Sequence, residues 1–318
     1  MLRYSVEKEY QDMLDAYQRA GGDSSALQTD NVAKLVVHEN KVLSANEVDG
    51  VRLISETKEN GISAELLVED NVKVSHPVHL CFGILPEEGL QDISLRVDVG
   101  KEAEVKVIAH CVFPNAVDVV HKMDAVINIG DNATFSYKET HYHGDFGGIQ
   151  VIPKARVTLG EKALYENTFS LVDGCVGKLD FDYEVISGAR SVAELTAKVY
   201  GKSDDIIKIS EKVHLNGSEA RSLIKTRIVL RDKAQAEVIG ETYGNAPYAR
   251  GHVDCTELVN GKEAIARAIP IVSVTDERAK VTHEAAIGSI DRRQVETLMA
   301  RGLDESEAVD VIVRGILR

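Results

Sequence analysis

The sequence predicts a mainly β protein: a parallel, right-handed β-helix with short helical segments at its N- and C-terminal ends. Three observations carry this. From about residue 31 to 284, apolar and polar residues alternate with a period of two, as in Ala103-Glu104-Val105-Lys106-Val107 and Ala236-Glu237-Val238-Ile239. A Gly-x-x-Ala corner recurs from Gly100 to Ala103, Gly130 to Ala133, Gly160 to Ala163, Gly217 to Ala220 and Gly261 to Ala264. No long helical pattern lies between these segments. The alanines at 103, 133, 163 and 193 stand 30 residues apart, as do Ala234 and Ala264, while Ala264 to Ala279 is 15. A fixed period in an all-strand segment means that each coil buries its apolar face against the next. The half period suggests two opposed sheets, each taking one strand from every coil. The glycine would make the turn, and the small alanine would let the chain come close to its neighbour. An antiparallel sandwich, the rival fold, has no need of a constant period.

Residues 1–30 read as an N-terminal helix and linker. Ser5 is placed to cap the helix, Val6, Tyr10, Met13, Leu14 and Tyr17 share one face, and Gly21-Gly22 ends it. Residues 31–284 form the β-helix core, and residues 285–318 a helical hairpin. In that hairpin Asp291 caps a helix bearing Val295, Leu298 and Met299, closed by Gly302. Asp304 and Glu307 form a capping box for a second helix, with Val309, Ile312, Val313, Ile316 and Leu317 on one stripe. Capping the open end of the solenoid is the usual use of such a hairpin; presenting the stripe to a partner is the other.

Composition narrows the function classes. The 318 residues include 37 basic and 51 acidic side chains, a net charge of −14, which disfavours nucleic acid and anionic membrane surfaces. No stretch approaches the ~18 apolar residues of a membrane span, and the N-terminus reads as a charged helix rather than a signal peptide. The four cysteines, Cys81, Cys111, Cys175 and Cys255, form no CxxC pair and fit reduced thiols in a cytoplasm. Aromatic residues are only 5%, with no Trp, so a sugar-binding β-helix enzyme with aromatic platforms is a poor fit. Phosphate-binding Gly-x-x-x-x-Gly-Lys, Gly-x-Ser-x-Gly and His-Glu-x-x-His motifs are absent, so the chain reads as no enzyme of those kinds.

The richest chemical stretch is Gly251-His252-Val253-Asp254-Cys255-Thr256-Glu257. A thiolate is a soft ligand for iron, zinc or copper(I) and a sulfur nucleophile. His283 and Glu284 follow Cys255 by 28 and 29 residues, about one coil later, on a strand ~4.8 Å away. Neighbours on a strand point oppositely, so only one of the two shares a face with Cys255. The plain alternatives are a packing thiol at Cys255 and, at His283-Glu284, a polar lead-in to the helices. His141 and His143 occupy one side of a strand, as a metal pair or a solvated face. His76, His79 and Cys81 flank Pro77 as a loop, and Cys111 after His110 reads as core.

Residues from about 150 onward resemble the SufB/SufD family of the SUF iron–sulfur assembly system. The segments that carry this are Gly251-His252-Val253-Asp254-Cys255-Thr256-Glu257-Leu258, Ala279-Lys280-Val281-Thr282-His283-Glu284-Ala285-Ala286-Ile287-Gly288, and Ile290-Asp291 through Met299-Ala300-Arg301-Gly302-Leu303 to Glu305-Ser306-Glu307-Ala308. The resemblance implies a β-helix between helical ends that scaffolds a transient iron–sulfur cluster without hydrolysing nucleotide itself. It implies a SufC-type ATPase as partner, docked on the C-terminal helices, and a homodimer or SufB/SufD-type heterodimer. Cys255 and Glu284 match the positions that SufB-type chains use for cluster assembly, and His283 matches the histidine of SufD-type chains; together they would hold iron. The alternative is a structural SufD-like subunit that binds the ATPase and holds no cluster. The N-terminal cysteine cluster that some SufB proteins carry is not seen, which leaves the sulfur-entry route open, with Cys111 and Cys175 as candidate relay positions.

Overall fold

A computed structural model describes residues 2–317. Helix α1 (Leu2–Arg19) is followed by a 3-10 turn at Ala26–Gln28 and nineteen strands. The strands are β1 (Lys34–His38), β2 (Lys41–Asn46), β3 (Val51–Lys58), β4 (Gly61–Val68), β5 (Val78–Gly83), β6 (Glu88–Val99), β7 (Glu104–Phe113), β8 (Asp118–Ile129), β9 (Thr134–His143) and β10 (Ile149–Leu159). They continue as β11 (Leu164–Asp173), β12 (Gly177–Ser187), β13 (Val192–Gly201), β14 (Ile206–Leu215), β15 (Arg221–Arg231), β16 (Gln235–Gly244), β17 (Arg250–Asn260), β18 (Ile265–Val274) and β19 (Lys280–Ser289). Helices α2 (Arg292–Met299) and α3 (Glu305–Ile316) close the chain.

The strands fall into two sheets, as the half period requires. The ten-stranded sheet runs β2-β1-β5-β7-β9-β11-β13-β15-β17-β19, and the nine-stranded sheet β3-β4-β6-β8-β10-β12-β14-β16-β18. From β4 and β5 onward every pairing is parallel, giving a β-solenoid of about 8 turns. The two antiparallel pairs, β1–β2 and β3–β4, form the first edge of each sheet, with β2 and β3 outermost. At the other end β18 and β19 are the last strands of their sheets, each with one edge unpaired.

Alternation decides which side chains enter the lumen. In β10 the residues Ile149, Val151, Ala155, Val157 and Leu159 are buried, while Gln150, Lys154, Arg156 and Thr158 are exposed. Across the chain the inward phase supplies one continuous apolar core. The few aromatic residues concentrate there: Phe135 stacks on Tyr165 at 5.9 Å, and Phe181 on Tyr183 at 4.0 Å.

The corners work differently from expectation. At five corners the residue with left-handed backbone is the third: Glu102, Asn132, Lys162, Arg190 and Glu219, with φ between 56 and 62°. The glycine is required by contact instead. A Cβ on Gly217 would lie 2.1 Å from the backbone of Gly188 and Ala189 in the preceding coil, and one on Gly160 would lie 2.8 Å from the Asp131 nitrogen. Ala193 is not a corner at all. It sits inside β13 opposite Tyr165, and Gly188 to Ser191 makes the corner of that coil.

Both helical ends lie along the outer face of the ten-stranded sheet. Met13, Leu14, Ala16 and Tyr17 of α1 cover Val36, Cys81 and Val112, and the Tyr17 hydroxyl is 2.8 Å from His79 Nδ1. Val6 remains 42% exposed. The helix begins at Leu2, so Ser5 lies inside it rather than at its cap. Asp291 accepts from the Arg293 N–H, and Asp304 with Glu307 forms the expected capping box. Val295, Val309, Val313 and Leu317 pack on Tyr200 and Val229 of β13 and β15. The hairpin therefore flanks the solenoid and does not plug its end, because its stripe is already spent on the sheet face. The strand β19 also runs to Ser289, hydrogen-bonded in parallel to β17, so the solenoid extends past residue 284.

Gly217→Ala is expected to destabilise the protein by about 2–4 kcal/mol, since backbone in the adjacent coil must shift. Gly315→Ala, in α3 with nothing within 4 Å of the added Cβ, is expected to be neutral or stabilising by up to about 1 kcal/mol. Urea unfolding of the two variants measures the difference.

Candidate functional site

Period-two phasing brings the predicted residues to the uncovered end of the lumen. Cys255 stands in the inward phase of β17 with Gly251, Val253 and Glu257. In register it faces Thr226 on β15 and Ala285 on β19. A Cβ on Gly240, across the lumen on β16, would lie 3.9 Å from Cys255 Sγ. The thiol is thus one coil below the open end and 2% exposed.

His283 and Glu284 lie mid-strand in β19, not in a lead-in to the helices, and the strand separates them. His283 pairs with Val253 and shares the inward phase with Cys255; Glu284 pairs with Asp254 and stands on the outer face. Asp254 is engaged by Arg227, whose guanidinium holds its carboxyl below the usual range. His283 Nε2 is buried without a partner, and burial, with the charge of His252, holds its pKa down. The ligand atoms of Cys255, His283 and Glu284 do not gather within 4.8 Å of one another in a single chain. Cys255 and His283 are brought to one face; Glu284 is not.

The structure adds polar residues to which the sequence reading gave no role. Glu257 is fully buried and neither carboxylate oxygen has a partner. Glu211 on β14 is 1% exposed and accepts a hydrogen bond from the Thr226 hydroxyl at 3.0 Å. Burial pushes both carboxyls up to about 7. Burial and the charges of Glu257 and Glu211 push the Cys255 thiol up to about 12. As it stands, the pocket favours neutral Cys255, Glu211 and Glu257, and a cation or a positive partner group would reverse that preference. The signal was available: Glu211 interrupts Ile207, Ile209, Val213 and Leu215 in the apolar phase of its strand.

The weaker histidine and cysteine candidates, His76 apart, are also buried, in the lumen, under α1 or in a turn. His141 and His143 are 1% and 2% exposed and line the lumen; the solvated-face reading fails because their phase is that of Phe135 and Tyr137. His79 and Cys81 belong to β5, hydrogen-bonded between β1 and β7, and only His76 lies in the loop before it. Cys111 is buried in β7, and Cys175 is buried in the turn before β12.

Fold and site together define a β-solenoid protein with a soft-donor thiol beneath an uncovered terminal coil. The family described as "SUF system FeS cluster assembly, SufBD core domain" matches residues 87–316. An iron-sulfur cluster assembly SufBD family protein of Methanocaldococcus jannaschii is 36% identical over 313 residues, covering 98% of this chain and 99% of that one. A SufBD family protein of Pyrococcus horikoshii is 37% identical over 310 residues, covering 98% and 94%. The iron-sulfur cluster assembly protein SufB of Bacillus subtilis is 24% identical over 259 residues, covering 79% of this chain and 54% of its own length. The chain belongs to the SufBD family, which is involved in iron–sulfur cluster assembly.

A carboxyl whose folded pKa is raised binds more protons folded than unfolded, so its contribution to stability is lost as pH rises. For Glu211 that window runs from its ordinary 4.5 to about 7. Between pH ~5.5 and ~8 the wild type is expected to lose about 2 kcal/mol that Glu211→Gln retains. Urea midpoints of both proteins at the two pH values measure it.

Proposed function

We propose that this chain is a scaffold subunit for iron–sulfur cluster assembly, with the cluster as its cargo. The observation that carries the reading is the open last coil. Strands β18 and β19, which make the coil that follows Cys255, leave their outer edges unpaired, with Ile265, Ile271, Val272 and Val274 exposed on β18 and Ile287 on β19. An unpaired edge bearing apolar side chains is a template for another chain. Pairing of two such ends, in a homodimer or with a SufB/SufD-type partner, would seal the lumen and bring donors from both chains to the thiol. Cys255 and His283 supply a thiolate and an imidazole from one face; Glu284, on the other face of an edge strand, joins only through that contact. A thiolate, an imidazole and a carboxylate suit iron.

The partner that supplies nucleotide energy would be a SufC-type ATPase at α2 and α3, whose Met299 and Val311 are exposed on the flank. The chain has no phosphate-binding loop of its own and is proposed to act as a non-enzymatic scaffold. Among the described residues no helix is long and apolar enough to cross a membrane. Reduced thiols and acidic charge fit work in the cytoplasm, away from membrane surfaces and nucleic acid.

One observation favours a second reading. A thiol 2% exposed and pushed up to about 12 is a poor ligand until something lowers that value. A structural SufD-like subunit, which binds the ATPase and holds no cluster, would tolerate such a thiol. Anaerobic incubation with ferrous iron and sulfide separates the two. The scaffold reading expects visible charge-transfer absorption that Cys255→Ser loses and His283→Ala weakens. Absence of absorption in the wild type, with ATPase binding intact, would leave the structural reading.

A further inference from the structure

The densest set of metal-binding side chains lies far from the open end. Cys111, His121 and His141 each present a ligand atom within 4.8 Å of the other two, and all three are at most 1% exposed. They come from three strands. Cys111 on β7 is in register with His141 on β9, so they sit on adjacent coils of the ten-stranded sheet. His121 reaches them across the lumen from β8, in the inward phase with Val119 and Met123. Glu139, two residues before His141 and pointing the same way, places Oε1 2.6 Å from His141 Nε2 and 4.0 Å from Cys111 Sγ.

The hydrogen bonds within the cluster do not satisfy it. Both ring nitrogens of His121, Glu139 Oε2 and His143 Nδ1 are buried without a partner. Such groups cost about 1–3 kcal/mol each when left unpaired, and the surrounding wall is apolar, with Phe113 and Phe169 against His141. Packing alone would place hydrocarbon at these four inward positions, as it does along the rest of β8.

We propose that Cys111, His121 and His141 form a binding site for a divalent transition cation of the zinc(II) or iron(II) class inside the lumen. Sulfur and imidazole donors select that class over calcium or magnesium, which take oxygen ligands. Charge agrees with it. A dication would offset the negative charge that a coordinating thiolate brings into the dry interior. Donors in a tetrahedral shell lie about 3.5 Å apart, so closure on a cation requires roughly an ångström of side-chain movement. With walls of continuous strand on both sides, the cation is taken up as the coils close and is held in the native state, which couples loading to folding. The site shares no residue with the Cys255 set and stands whether or not that set holds a cluster.

The test uses the full chain, refolded anaerobically from urea with cobalt(II) alone and no sulfide. The expected result is a single equivalent of cobalt per chain, with tetrahedral d–d bands and thiolate-to-cobalt charge transfer. Cys111→Ser is expected to abolish the charge-transfer band, and His121→Gln to weaken binding at least about tenfold, each with wild-type far-ultraviolet circular dichroism. Should Cys111→Ser fail to fold, the combined Cys81→Ala, Cys175→Ala and Cys255→Ala protein, with Cys111 as its sole thiol, must still show the band. Cys255→Ser must keep the cobalt spectrum even where it loses the iron–sulfur absorption, so the two readings fail separately. Refolded wild type without stoichiometric cobalt, or a cobalt spectrum that survives in folded Cys111→Ser, overturns the proposal.

Discussion

Every other feature of this molecule depends on one constraint: the backbone of each coil hydrogen-bonds in parallel register to the coils before and after it. Register fixes phase, and phase fixes whether a side chain faces the lumen or the outside. The constraint is tightest at the corners, where Gly160 and Gly217 lie against preceding backbone with no room for a Cβ. The left-handed residue that follows two positions later aims the chain into the next strand. Once the corners are set, inward side chains stack in columns running the length of the solenoid, and any polar residue in that phase is buried by topology rather than by its own preference.

Burial of this kind explains why chemistry gathers in the lumen. Glu211, Glu257 and Thr226 surround Cys255 near one end, and Glu139, His121 and His141 surround Cys111 towards the other. Each carries a desolvation cost that a purely structural interior avoids. Two helical flanks use the opposite face of the same sheet, α1 near the first coils and the α2–α3 hairpin near the later ones. The outer face of the nine-stranded sheet and the edges of β18 and β19 remain for contacts outside the chain.

Much of the fold was legible in the sequence, and the reason is period. Alternation identified the strands, a repeat near 30 identified parallel stacking, and Asp291 with the Asp304–Glu307 box located the starts of α2 and α3 to the residue. What the sequence did not disclose was set by tertiary contact. Ala193 matched the spacing, yet the coil between β11 and β13 is shorter than its neighbours, so the corner falls at Ser191. The docking face of the hairpin was invisible because an apolar stripe specifies burial without naming its cover. At the site, spacing located Cys255 one coil from His283 and Glu284, but the choice between them needed the register, which gives His283 to the lumen and Glu284 to the outside. Of the two readings of His141 and His143, the solvated face fails, because phase and not polarity decides burial here.

The uneven coil lengths have an evolutionary consequence. A coil can gain or lose residues at a corner, as between β11 and β13, and the columns on either side stay aligned. A single residue gained within a strand would exchange lumen and surface for the remainder of that strand, exposing a row of valines and burying a row of lysines. Sequence drift in this architecture is therefore channelled: length varies where the chain bends, and identity varies where it runs straight.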